Sequence, residues 1–136
     1  DEALAANVFI NVPIAKHHGL TRLTLGLKNM MGIMGGDRGF IHRDMDNALS
    51  DVSGIVKSHI TVIDATRILL RHGPQGGNLK DVKVLNKIIA STDIVAADAY
   101  ATTLFDLKPE EISTTVAAYK RDLGEMNLNK IKIIKV

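Results

Sequence analysis

Short segments of strand-forming residues alternate along this chain with segments of helical pattern, and this alternation limits the fold more than any single residue does. Residues 7–12 (NVFINV) are rich in β-formers and stop at Pro13, which has no N–H for a ladder. Residues 59–63 (HITVI) read as a buried strand ending at Asp64, and apolar character continues over 66–70. Residues 84–90 (VLNKIIA) predict a third strand. Residues 130–136 predict a fourth, because Lys130, Lys132 and Lys135 alternate with Ile131, Ile133 and Ile134 as on a half-exposed strand.

Helical spacing lies between these segments. A helix is expected over 21–31, followed by a flexible loop marked by Gly32, Gly35, Gly36 and Gly39. A clearer one covers 44–56, where Met45, Leu49, Val52 and Val56 share a face. The next covers 93–105, with Ser91, Thr92 and Asp93 competing to cap it and small Ala96, Ala97, Ala99 and Ala101 allowing close packing on a sheet. Pro109, Glu110 and Glu111 suit the first turn of another helix, with Ile112, Val116, Tyr119 and Leu123 as its apolar face and Gly124 as its C-cap. The order predicts an α/β fold, a mainly parallel sheet with helices packed on it in Rossmann-like layers. Residues 1–136 read as a single domain, with no repeat, low-complexity tract or internal boundary.

Composition narrows the function classes. Apolar residues make up 46% of the chain, but there are only three Phe, two Tyr and no Trp, so the core is aliphatic and a base-stacking surface is not expected. A formal charge of +2 gives no argument for nucleic acid or an anionic membrane as partner. No apolar run reaches the ~18 residues of a membrane span. Without Cys, the chain can hold no disulfide, zinc–thiolate site or iron–sulfur cluster of its own. It opens Asp1-Glu2-Ala3, with neither Met nor a basic segment, so no signal peptide is read and a piece of a longer protein is expected.

Ligands of open α/β sheets bind beyond the carboxyl ends of the strands. Three predicted strands lead to polar groups: Lys16, His17 and His18; Asp64, Thr66 and Arg67; Ser91, Thr92 and Asp93. If the strands are parallel neighbours, these groups converge on one edge. The richest stretch carries Lys16, His17, His18, Thr21, Thr24, Lys28, Asn29, Asp37, Arg38, His42 and Arg43, including three of the five His. Such residues suit proton transfer, anion binding or, through His18, His42 and a carboxylate, a metal; a basic surface loop with idle His is the plain alternative. The segment from Arg71 to Asn78, with Gly73, Gly76 and Gly77, would present N–H groups to an anion or form a tight turn, and matches neither a P-loop nor a dinucleotide fingerprint. Asp64 is the favoured carboxylate. Asp98 needs a partner if its face of the helix is buried, and would then orient a Lys or His of the Lys16–Arg43 stretch; facing solvent, it is a surface charge.

FINVPIAKHHGLTRLTLGLKNMMG with His42-Arg43, VIDATRILLRHGPQGG, IIASTDIVAADAYATTLFDLKPEEI and Leu123-Gly124-Glu125-Met126 together resemble the domain-of-unknown-function 362 family. The resemblance covers nearly the whole chain and looks like the C-terminal part of that domain. It implies a ferredoxin-like iron–sulfur segment as a partner elsewhere in the parent protein, and leaves localisation between the cytoplasm, which is favoured, and export. A weaker similarity to nickel-pincer lactate racemases rests on His18 and Lys28, ten positions apart with Gly26 between. It implies that Lys28 tethers a pincer cofactor, His42 binds nickel and His18 moves a proton on a small hydroxy acid. The residues in turn point first to a binding domain for an anionic small molecule. His18, Lys28 and Asp64 are expected at its centre, with Lys16, Thr24, Asn29, Arg43, Gly76, Gly77 and Asp93 around them. A docking domain without a small-molecule site is the third reading, and predicts that His18, Lys28 and Asp64 are scattered.

Overall fold

The computed structural model describes residues 2–36 and 38–136, apart from the side chains of Arg38 and Phe40. Asp37 and the Arg38 side chain, both counted in the basic stretch above, lie outside the described residues. In chain order the elements are α1 (Glu2–Ala5), β1 (Ile10–Asn11), β2 (Ile14–His18), β3 (Arg22–Thr24), α2 (Gly26–Asn29), α3 (Arg38–Ile41), α4 (Met45–Ile55), β4 (Ile60–Leu69), β5 (Val82–Ser91), α5 (Ile94–Thr102) and α6 (Ser113–Lys120). Short 3-10 turns fill several of the gaps.

The class is α/β: helices pack on a mixed sheet. β4 is its centre. β1 and β2 both run parallel to it, with Ile10 opposite Ile60 and Ile14 opposite Asp64, so Pro13 interrupts one line of chain rather than ending it. β3 adds antiparallel to β2, with Lys16 opposite Thr24 and His18 opposite Arg22. β5 pairs antiparallel along the other side of β4. The register shifts between Ala65 and Arg67 of β4, and Asn86 on β5 takes a positive φ of 52°, a conformation Asn tolerates at a bulge.

Alternation divides the sheet into two faces. Ala15, Leu23, Ile63, Ala65 and Ile68 are buried under Ala97, Ala101 and Ile112. The α5 helix is almost wholly enclosed, which its alanines permit. Leu27 of α2 packs with Val95 and Ala118. Ile10, Val12, Ile14 and Ile88 belong to the opposite face and are 54%, 60%, 56% and 67% exposed.

Several expectations are corrected. The polar run Lys16–His18 is strand: all three residues pair with β3, and Lys16 also stands opposite Leu69 of β4. Residues 21–31 form β3 and then the one-turn α2, because Arg22–Thr24 finds a partner in β2. Residues 59–63 and 66–70 are one strand, leaving Asp64 in mid-strand. Residues 130–136 form no strand, since alternation alone supplies no pairing partner. The helix expected at Pro109 is a 3-10 turn followed by α6, whose C-terminal left-handed position falls on Asp122 rather than Gly124.

Candidate functional site

The chemistry gathers at the carboxyl end of β2. Lys16, His17 and His18 are each half-buried at the end of β2, after the fully buried Ala15. Thr24 and Arg22 stand level with Lys16 and His18 on β3. Thr24 Oγ1 is buried without a hydrogen-bond partner.

His18 Nδ1 accepts the backbone N–H groups of Leu20 (3.2 Å) and Thr21 (3.4 Å). Its neutral ring therefore carries the proton on Nε2. His17 Nδ1 accepts the Gly73 N–H at 3.1 Å and is fixed in the same tautomer. The His18 pKa is held below its ordinary value, first by burial and then by the charges of Lys28, His42, Lys16 and His17. Four residues picked from the sequence, Lys16, His18, Lys28 and His42, are thus within electrostatic reach of His18 or are His18 itself. Lys28 Nζ lies 2.9 Å from Met31 Sδ.

A cleft of about 400 Å³ opens beside His17 and His18. Arg22, Arg71 and Asp106 line its polar side, and Leu23, Leu70, Phe105 and Leu107 its apolar side. The loop from Arg71 to Asn78 borders this end. A Cβ on Gly73 would lie 1.8 Å from the carbonyl oxygen of His17, so only glycine lets the loop approach. Asp81 anchors the loop by accepting from His72 Nδ1 at 2.7 Å, with Arg71 at 3.8 Å. A larger cavity, about 480 Å³, lies between α4 and α6, but its polar groups serve one another: Arg121 binds Asp51 and Asn47, and Ser113 binds Asp46.

Other predicted residues are engaged elsewhere. Asp64 accepts from Thr66 N at 2.9 Å and Thr66 Oγ1 at 2.7 Å, and these bonds, the backbone one first, hold its pKa down. It stands level with Ile14, four residues or roughly 13 Å along the strand from His18. Asp93 is at the far end of the sheet, because β5 is antiparallel to β4 and Ser91 stands opposite Thr61. Both its oxygens are occupied, one by Ala96 N at 2.9 Å and the other by Glu125 N at 2.8 Å. The expected convergence of three strand ends therefore fails for two of them. Asn29 donates to Asn11 at 2.8 Å and braces α2. Gly76 and Gly77 take positive φ angles in the tight turn, and Gly76 N is bonded to His72 O at 3.0 Å. His42 and Arg43 are exposed just beyond α3.

Among the described residues no three His, Cys, Asp or Glu side chains are grouped to hold a metal. His18 meets N–H groups with one ring nitrogen and carries a proton on the other, which is not the form of a ligand. These residues alone do not fit a nickel centre.

The sequence reading names His17 in this stretch but leaves it out of the central set, and it passes over Arg22 and Arg71 as site residues. Arg22 looked helical, and Arg71 looked like ordinary turn punctuation. Asp98 was recognised as conditional on burial. It is 2% exposed and accepts from Gly26 N at 2.6 Å and Leu27 N at 2.9 Å.

The fold is a mixed-sheet α/β domain with Lys16, His17 and His18 gathered at the carboxyl end of β2. The family model described as "Domain of unknown function (DUF362)" matches residues 1–103, and the chain belongs to that family. It is 27% identical over 131 residues to a thylakoid-associated protein of Synechocystis sp., covering 90% of this chain and 40% of that relative's length. No solved structure matches it significantly. No helix among the described residues is long and apolar enough to cross a membrane.

Proposed function

We propose that this domain binds a small molecule through a carboxylate or phosphate group, held by Lys16, Lys28 and the Nε2–H of His18. One observation carries the reading: residues 10 and 24 positions from His18 in sequence, Lys28 and His42, return to its electrostatic neighbourhood alongside Lys16. Like charges gathered at a strand end repel one another, and an anion relieves that repulsion through charge-assisted hydrogen bonds. The neighbouring cleft, with apolar and basic walls, suits the remainder of such a molecule. A ferredoxin-like segment of a longer protein is the proposed redox partner; this chain, lacking Cys, would supply none of its cluster ligands.

The test is calorimetric titration with inorganic phosphate and with L-lactate at low ionic strength. Saturable binding that Lys28→Ala weakens about tenfold or more is expected. Binding unchanged in Lys28→Ala refutes the site. The racemase-like reading draws on the same approach of His18, Lys28 and His42. It predicts in addition a covalent adduct on Lys28, read by intact mass.

A further inference from the structure

Lys28 is carried by α2, a single turn of four residues that is too short to hold itself. Its position must be imposed by what grips its ends. Asp98, on the buried α5, takes both N–H groups that open the turn, Gly26 on Oδ1 and Leu27 on Oδ2. Asn11, on β1, donates to the Gly26 carbonyl at 2.9 Å and accepts from Asn29 at 2.8 Å. The fit leaves no slack: a Cβ on Gly26 would stand 2.7 Å from Asp98 Oδ1 and 3.0 Å from both Ile94 and Thr61. The other buried carboxylate among the described residues, Asp81, is taken up by the loop at Arg71 and His72.

We infer that Asp98 is the positioning residue of the proposed anion site, holding α2, and with it Lys28, against α5. The inference rests on the anion-binding reading, but acts through backbone groups away from the bound anion. It assigns the carboxylate to scaffolding, not to chemistry: both oxygens are spent on N–H donors and the side chain is sealed from solvent. Asparagine in its place keeps the shape but accepts on only one oxygen, so one end of the grip is released. Gly26→Ala forces the same two elements apart from the other side while leaving the carboxylate intact.

The experiment measures inorganic phosphate affinity at pH 8 for the wild type, Lys28→Ala, Asp98→Asn and Gly26→Ala, together with amide hydrogen exchange. The expected result is a folded Asp98→Asn or Gly26→Ala protein that binds phosphate about tenfold more weakly. Exchange should accelerate at Gly26–Asn29 while the α5 amides stay protected. If Asp98→Asn fails to fold, Gly26→Ala carries the comparison. Wild-type affinity in a folded variant overturns the inference and leaves the site reading standing. If wild type binds no phosphate, the site reading fails and exchange decides the rest. Acceleration confined to Gly26–Asn29 then supports Asp98 as the holder of α2, and unchanged exchange there overturns it.

Discussion

A carboxylate sealed among alanines should leave a mark on stability against pH. Burial pushes the pKa of Asp98 from 3.8 up to about 7, outweighing the bonds from Leu27 and Gly26 that favour the ionised form; the charge of Asp93 pushes it the same way as burial. Between these two values the folded protein holds a proton that the unfolded chain has released. Stability attributable to this group is therefore full below pH ~4 and is lost as pH rises towards 7 and beyond. A shift from 3.8 to about 7 corresponds to on the order of 4 kcal/mol. In Asp98→Asn that slope disappears. At pH 5 the variant should be less stable by about 1–3 kcal/mol, since a carboxylic acid can still accept on both oxygens and an amide leaves one buried N–H unpaired. By pH 8 the wild type carries the charge and the variant does not, so the two should be equal or their order reversed. Urea denaturation at pH 5, 6, 7 and 8 measures the difference. Parallel stability curves for the two proteins across this range would refute the reasoning.

Other positions give sharper local tests. Gly73→Ala drives a Cβ into the His17 carbonyl, and thermal denaturation should show a loss of about 1–3 kcal/mol. Asp93→Ala removes the α5 cap and the bond to Glu125 N, and should cost about 1–2 kcal/mol in the same assay, with no loss of phosphate affinity because the residue is remote from His18. Burial and the neighbouring Lys28, His42, Lys16 and His17 hold the His18 pKa below 6.5, so saturating phosphate should move its NMR titration to higher pH; an unchanged midpoint counts against an anion beside the ring. The apolar sheet face at Ile10, Val12, Ile14 and Ile88 should make this chain self-associate with rising concentration, and Ile88→Lys should suppress it; sedimentation showing a monomer at every concentration refutes that use of the face.

Fold class was legible because burial enforces periodicity. The face of α4 through Met45, Leu49 and Val56 is buried as its spacing requires, and the small residues of α5 lie against the sheet. Errors fall where pairing decided the structure. Lys16-His17-His18 has no strand composition, yet all three pair with β3, and Lys16 also faces β4. The terminal lysine–isoleucine alternation has good strand composition and gains no partner. Direction was equally hidden: a ten-residue β5 runs antiparallel after a loop and one short turn, and nothing in VLNKIIA distinguishes that from a crossover strand.

The direction of β5 explains why part of the candidate site was found and part misplaced. Groups on the Lys16–Arg43 stretch were chosen for their chemistry within one continuous segment, and a continuous segment folds back over short distances whatever the sheet order. Asp64 and Asp93 were chosen for lying at strand ends, which depends on where the strands stop and which way they run. Asp98 shows the intermediate case. Its burial could be posed as a condition from the Ala-rich helix around it, but its partner could not be named. The partner is not a side chain at all; it is the pair of N–H groups that open a turn beginning at glycine. Side-chain chemistry can be searched for in a sequence, whereas every residue but proline carries a backbone N–H. A buried acid whose partners are backbone groups is therefore visible from sequence only as an unanswered charge, and it is the packing of α2 on α5 that answers it.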